Sequence, residues 1–292
     1  MTTLLMFPGQ GSQRVGMGAD VMEEHGDLVE TASDITGFDI AEVCGSRELM
    51  GDTRFLQPAL FVAEYLDYRA HWSHLDDVVM AGHSLGELVA LCAAGAFGFE
   101  VGVELVATRA RLMSEVRGGR MAAIMQIDAD VVRGVVDDEF PDIDIANHNG
   151  YGQLVVSGPD DSVDALCDRV DDLDGLATTL AVSGAFHSRY MRGPAARFAL
   201  VAQSHPMTAP DVPVVANATA DFYGADGDLV DLMTRQLYSP VRWTESIETA
   251  VEAGVDTFVE VAPGKVLSRI VERMRVRRGW RADIVTGDAH AA

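Results

Sequence analysis

The stretch Val79-Met80-Ala81-Gly82-His83-Ser84-Leu85-Gly86-Glu87 constrains the fold of this 292-residue chain more than any other. It sets a serine in G-x-S-x-G spacing, directly after the apolar run Val78 to Ala81 and directly before the apolar run LGELVALCAAGAF. A short apolar run closed by glycine reads as a buried strand, and a segment apolar nearly all round reads as a covered helix. Joined by so tight a turn, the two fit an α/β core with a mostly parallel sheet. Such a turn lifts the serine hydroxyl to the N-terminus of the helix, where the Leu85 amide and the helix end can stabilise an oxyanion. A serine that merely caps the helix would leave the same pattern.

Other segments extend this core and interrupt it. LLMFPGQG reads as a second buried strand that delivers a polar motif at its end, and VPVVANAT and DTFVEVAP read as strands, the latter followed by the helix-like GKVLSRIVERM. Between Met121 and Gly184 the order changes to β-α-β-β-α-β: MAAIMQI, DADVVRGVVDDE, IDIANHN, QLVVSG, DSVDALCDRVDDL and GLATTLAVSG. That order is ferredoxin-like. The expected organisation is a hydrolase-like α/β large domain over 1–120 and 188–280, an inserted ferredoxin-like small domain over 121–187, and a loose tail over 281–292.

Composition narrows the class. A 48% hydrophobic content over this length fills a sizeable core. The N-terminal apolar run is too short for a signal peptide and no apolar segment spans a bilayer, so the expectation is a soluble, cytoplasmic protein without a membrane partner. Cys44, Cys92 and Cys167 lie far apart with no C-x-x-C spacing, which suggests neither disulfides nor a metal site. The formal charge of -23 disfavours nucleic acid as a partner.

A serine needs a base. His83 is adjacent, but neighbours on an extended strand end point to opposite sides, so a supporting role fits it better. His187, in SGAFHSRYM, stands where the small domain returns to the large one, a place where a cleft is expected; a structural hydrogen bond is the alternative. In GVELVATRARLM, Leu105, Arg109 and Leu112 share one helical face, opposite Glu104, Thr108, Arg111 and Glu115. A guanidinium on an apolar face needs an anion, and pattern alone favours a structural ion pair over a substrate carboxylate.

Taken together, these motifs resemble the malonyl-CoA:acyl carrier protein transacylase family, including the discrete acyltransferases that load polyketide synthases. The resemblance runs from about Leu4 to Arg273. It is carried by FPGQGSQ from Phe7 to Gln13, LQPAL from Leu56 to Leu60, GHSLGE from Gly82 to Glu87, TRARLM, NHNGYGQLVVSG, GAFHS, QLYSPVRW from Gln236 to Trp243, and VAPGKVL from Val261 to Leu267.

The resemblance implies Ser84 as acylated nucleophile and His187 as general base, the latter oriented by a main-chain carbonyl placed near Ser239. It implies Gln10 and the Leu85 amide as oxyanion hole and Arg109 as holder of the malonyl carboxylate. Gln57 and Asn147 would line the pocket, and Phe186 would crowd an α-methyl group. The implied reaction is ping-pong: malonyl passes from malonyl-CoA to Ser84, then to the phosphopantetheine thiol of an acyl carrier protein, with no metal and no tightly bound cofactor.

GAFHS stands where fatty-acid-synthesis members commonly have P-S-H, and Gly150-Tyr151 where they have a serine-proline turn. Both departures resemble the enzymes of trans-acyltransferase polyketide assembly lines, with the fatty-acid-synthesis homologue as the alternative. An acyl hydrolase of the same fold is a further alternative, which Arg109 argues against. An α/β-hydrolase with a Ser-Asp-His triad is opposed by PGQG and the insert, and a non-catalytic docking subunit by the presence of both Ser84 and His187. Arg189 and Arg192, or the arginines of RMRVRRGWR, are candidate carrier-protein contacts or ordinary solvated charges.

Overall fold

The computed structural model describes residues 1–182, 184–224 and 229–286. The chain opens with β1 (Thr2–Phe7), passes through α1 (Ala19–Glu24), α2 (Gly26–Thr36), α3 (Ile40–Gly45) and α4 (Thr53–His71), then forms β2 (Val78–Gly82), α5 (Leu85–Ala93) and α6 (Phe99–Ser114). There follow β3 (Gly119–Met125), α7 (Ala129–Glu139), β4 (Asp144–His148), β5 (Gln153–Pro159), α8 (Asp160–Asp171) and β6 (Leu176–Thr179). The remainder comprises α9 (Arg192–Ala202), β7 (Val214–Val215), α10 (Leu229–Gln236), α11 (Trp243–Glu252), β8 (Val255–Glu260), α12 (Val266–Arg278) and β9 (Asp283–Thr286).

Five strands make a parallel sheet in the order β7-β2-β1-β8-β9. Its central strands are apolar on both sides because both faces are covered. Leu5, Phe7 and Met80 point into the core built with α4, α5 and α6. Leu4, Met6, Val79 and Ala81 point the other way, against Trp243, Ile247, Ile270 and Val271 of α11 and α12. The two-residue alternation of a strand thus packs helices on both sides of one sheet.

The second sheet is antiparallel, in the order β4-β5-β3-β6. Ala122, Ile124, Leu154 and Val156 meet Val132 and Val136 of α7 and Val163, Leu166 and Val170 of α8 in a core of their own. The opposite face, with Met121, Ala123 and Val155, joins the main core and lines the cavity over Ser84.

Two stretches depart from the expected boundaries. The last strand of this sheet ends at Thr179. Leu180 and Val182, expected to continue it, turn toward the cavity instead, where apolar lining is available. The tail is also more ordered than expected, since Asp283–Thr286 pairs in parallel with β8. Ile284 and Val285 pack on opposite sides of the sheet, and this apolar burial together with the exposed edge of β8 accounts for the added strand. Residues 287–292 of the expected tail lie outside the described residues.

Candidate active site

The turn after β2 is held by close backbone contact. A Cβ on Gly82 would lie 1.8 Å from the Gly86 carbonyl carbon, and one on Gly86 would lie 2.0 Å from the Phe7 carbonyl oxygen. No side chain fits either place, which is the physical reason for the G-x-S-x-G spacing. Ser84, between them, has φ 56° and ψ -104° at the N-cap of α5. A non-glycine residue there costs about 1–3 kcal/mol and is held only by its surroundings. Its amide donates to Asn217 Oδ1 at 2.8 Å, and Asn217 Nδ2 donates to the Gly82 carbonyl at 2.7 Å, so one side chain clamps both ends of the turn.

Ser84 Oγ lies 2.7 Å from His187 Nε2 and accepts from Arg109 Nη2 at 3.0 Å. His187 also has a left-handed backbone, φ 55°, and is buried. Its Nδ1 lies 2.8 Å from the Gln236 carbonyl oxygen. That carbonyl belongs to the first residue of QLYSP, where α10 ends at Gln236 and leaves a terminal carbonyl without a helical partner, and the backbone of Ser239, the position expected from the sequence, is a second hydrogen-bond partner of His187. An Nδ1–H donated to the Gln236 carbonyl leaves the Nε2 lone pair facing the serine.

The charges are set by burial. Desolvation, reinforced by the Arg109 cation, lowers the His187 pKa to about 3, so the ring is neutral at physiological pH. Arg109 is fully buried, which lowers its pKa to about 10, partly offset by Glu87; it remains a cation. Its Nη1 donates to Gln57 Oε1 at 2.7 Å and its Nη2 to Gln236 Oε1 at 3.0 Å. The guanidinium is thus held by neutral amides, with Nη2 shared with the serine. The structural ion pair that pattern alone favoured is replaced by amide contacts, and the carboxylate of Glu87 stands behind Gln236.

A cavity of about 230 Å³ opens over the serine. Gln10, Gln57, Ser84, Leu85, Asn147, Phe186 and His187, all named from the sequence, line it together. Gly9 lies so close to the His83 carbonyl that a Cβ there would stand 2.4 Å from it, which brings Gln10 of the PGQG loop beside the serine turn. Leu85 is the first residue of α5, where helix amides have no partner within the helix. His83 also lines the cavity, but its ring is engaged elsewhere: its Nε2 lies 2.8 Å from Asn149 Oδ1, and the ring packs edge-on against Trp243.

Sequence reasoning missed Asn149, Asn217, Tyr223, Gln236 and Glu87. Glu87 carried a visible signal as a lone acid in the apolar run LGELVALC, and Asn149 and Gln236 stand in the motifs NHNGYGQLVVSG and QLYSPVRW without a side-chain role assigned to them there. Of the arginines considered for carrier contact, Arg189 forks onto Asp144, Arg278 pairs with Glu248, and Arg192 lies over the Tyr238 ring. No cluster of three or more histidine, cysteine or acidic side chains suited to a metal ion occurs among the described residues.

Comparison with known proteins fits this geometry. The acyl transferase domain family matches residues 4–286. Polyketide biosynthesis protein PksE of Bacillus subtilis is 37% identical over 278 residues, which are 92% of this chain and 36% of that protein; the chain therefore spans about a third of that relative's length. The polyketide biosynthesis malonyl CoA-acyl carrier protein transacylase BaeC of Bacillus velezensis is 37% identical over 277 residues, 92% of this chain and 96% of that protein. Among solved structures, a malonyl CoA-acyl carrier protein transacylase from Burkholderia pseudomallei superposes with TM-score 0.88 at 39% identity, over 95% of this chain and 99% of that one.

Proposed function

Since the chain belongs to the acyl transferase domain family, we propose that it moves a malonyl group from malonyl-CoA to the phosphopantetheine thiol of an acyl carrier protein. The observation that carries this reading is the position of Ser84 Oγ, within hydrogen-bond reach of both a neutral imidazole and a buried guanidinium. The first can accept the serine proton, and the second can hold a carboxylate next to the atom that attacks.

In this reading Ser84 Oγ attacks the thioester carbonyl while His187 Nε2 takes its proton. The oxyanion is met by the Leu85 amide, the α5 N-terminus and Gln10. Collapse expels the coenzyme A thiol, which receives the proton from His187, and leaves malonyl on Ser84. The carrier thiol then attacks and gives its proton to His187, which returns it to Ser84 Oγ as the bond from malonyl to the serine breaks. Arg109, freed from Ser84 Oγ by acylation, pairs with the malonyl carboxylate and fixes the acyl group. Gln57, Asn147 and Phe186 shape the pocket. No step needs a metal or a bound cofactor.

The similarity to BaeC supports a place in polyketide assembly, acting in trans in the cytoplasm; fatty-acid synthesis is the second reading, supported by other malonyl CoA-acyl carrier protein transacylases over nearly the whole chain. We read the antiparallel sheet and its two helices as a ferredoxin-like small domain, 121–187, inserted into a large domain of 1–120 and 188–280. Among the described residues no helix is long and apolar enough to cross a membrane.

The test is intact-protein mass spectrometry after incubation with malonyl-, methylmalonyl- or acetyl-CoA. A malonyl adduct that is lost in Ser84→Ala and passes to a carrier protein is expected. An adduct that persists in Ser84→Ala, or none with any of the three, refutes the mechanism.

A further inference from the structure

Glu87 lies on the first turn of α5, fully buried and outside the lining of the cavity. Its two oxygens face different donors. Oε1 accepts from the Tyr223 hydroxyl, while Oε2 accepts from Gln236 Nε2 at 2.9 Å and from the Asn217 amide at 3.3 Å. Burial raises its pKa to about 7, against the lowering effect of these donors and of Arg109. A proton on Oε1, facing Tyr223, would still leave Oε2 an acceptor, so the contact with Gln236 survives in both states.

That contact decides which way the Gln236 amide points. A carboxamide has one accepting and one donating end, and Arg109 can only donate. With the nitrogen drawn to Glu87, and to the Ser84 carbonyl at 2.5 Å, the oxygen is left for Arg109 Nη2. The reverse orientation would set NH₂ against a buried guanidinium and leave Arg109 Nη2 with Ser84 Oγ as its one remaining acceptor of the two. The main-chain carbonyl of the same residue receives His187 Nδ1.

We propose that Glu87 is a positioning residue for acyl transfer: its Oε2 orients the Gln236 side chain and, through it, holds Arg109 where a substrate carboxylate docks. The proposal rests on the reading of Arg109 given under Proposed function. It differs from a merely structural role because it acts on the carboxylate of the substrate, which acetyl-CoA lacks.

The experiment compares Ser84 loading from malonyl-CoA and acetyl-CoA as kcat/KM in the wild type, Glu87→Met, Glu87→Gln and Gln236→Met, each checked for folding by circular dichroism. Glu87→Met is expected to lower the malonyl-over-acetyl preference by about tenfold, the scale of one misplaced charged hydrogen bond. Glu87→Gln, which can turn its oxygen to the Oε2 position, is expected to stay within about threefold of the wild type. Gln236→Met keeps the main-chain carbonyl and is expected to match Glu87→Met, with no further loss in the double variant. A folded Glu87→Met with wild-type preference overturns the proposal, as does a Glu87→Gln that loses as much as Glu87→Met. Should Glu87→Met not fold, Gln236→Met decides: an unchanged preference overturns the proposal. A wild type that forms no malonyl adduct on Ser84 overturns the acyl-transfer reading instead.

Discussion

His187 Nδ1 lies 2.8 Å from the carbonyl oxygen of Gln236, so the imidazole opposite Ser84 is oriented by a main-chain dipole where a triad would have a carboxylate. A neutral carbonyl fixes the tautomer but stabilises an imidazolium less than an anion would. Burial and the Arg109 charge outweigh the carbonyl bond, which favours the imidazolium, and the pKa falls to about 3.

The pH dependence follows from that value. A folded-state pKa near 3, below the ordinary 6.5, keeps His187 neutral throughout the neutral range. The kcat/KM for malonyl loading should therefore show no acid limb from His187 between about pH 6 and 8. In Arg109→Ala the removed cation lets the His187 pKa rise, so the acid limb for acetyl-CoA loading should move to higher pH. Coenzyme A release measured across pH in both proteins checks this; an inflection near 6.5 in the wild type would contradict it. The same shift bears on folding: the unfolded chain binds the His187 proton below about pH 6.5 and the folded one does not, so this residue lowers stability as pH falls through that window.

Arg109→Ala separates the two substrates. Its Nη2 touches Ser84 Oγ, so in the proposed reaction a carboxylate on the acyl group is expected within reach of the guanidinium. Loss of a charged hydrogen-bond pair is expected to cost malonyl loading about 2–3 kcal/mol, on the order of 30- to 150-fold in kcat/KM. Acetyl loading should change by less than about tenfold, since acetyl has no carboxylate to lose. Comparable losses for the two thioesters would show that Arg109 serves the turn and not the acyl group.

Gly82→Ala and Gly86→Ala should each prevent stable folding. The added methyl groups would stand 1.8 and 2.0 Å from backbone atoms, and backbone cannot swing aside as a side chain tip can. A penalty above about 4 kcal/mol is expected, a large share of the stability of a domain. Urea denaturation and the soluble yield test this; a variant within about 1 kcal/mol of the wild type would show that the turn has room to relax.

Those two glycines also explain what could be read in the sequence. G-x-S-x-G is legible because backbone packing excludes every other residue at its ends, and Arg109 because a charge on an apolar helix face breaks the helical pattern. The two sheets were legible from strand and helix order, and Met121 and Ala123 could reach the cavity because alternation sends every second residue of β3 there. Gln236 was visible only as the first residue of QLYSPVRW: its main-chain carbonyl is one that any residue supplies, and its side-chain partners Arg109, Glu87 and Ser84 are 127, 149 and 152 positions away in the chain. The strand at Asp283–Thr286 was missed for a related reason, since the burial of Ile284 and Val285 requires the open edge of β8, which four residues do not reveal.

Phe186 yields the last prediction. The ring is buried, lines the cavity with Ser84 and His187, and lies over Gly184, where a Cβ would stand 2.7 Å from the ring edge. Gly184 therefore lets the ring sit flat against the chain. A ring so backed has little room to retreat from an α-methyl group on the proposed acyl chain, so methylmalonyl is expected to be disfavoured. Phe186→Ala opens room for that methyl, and discrimination by a single methyl in an apolar pocket is worth about 1–3 kcal/mol. The variant should raise methylmalonyl loading relative to malonyl by about tenfold or more, while malonyl loading itself falls because the acyl group is held less firmly. Competition of the two thioesters for Ser84, read by intact mass, measures the ratio directly. An unchanged ratio in a folded Phe186→Ala would mean that another wall of the cavity, such as Met121 or Val155, sets the limit on substrate size.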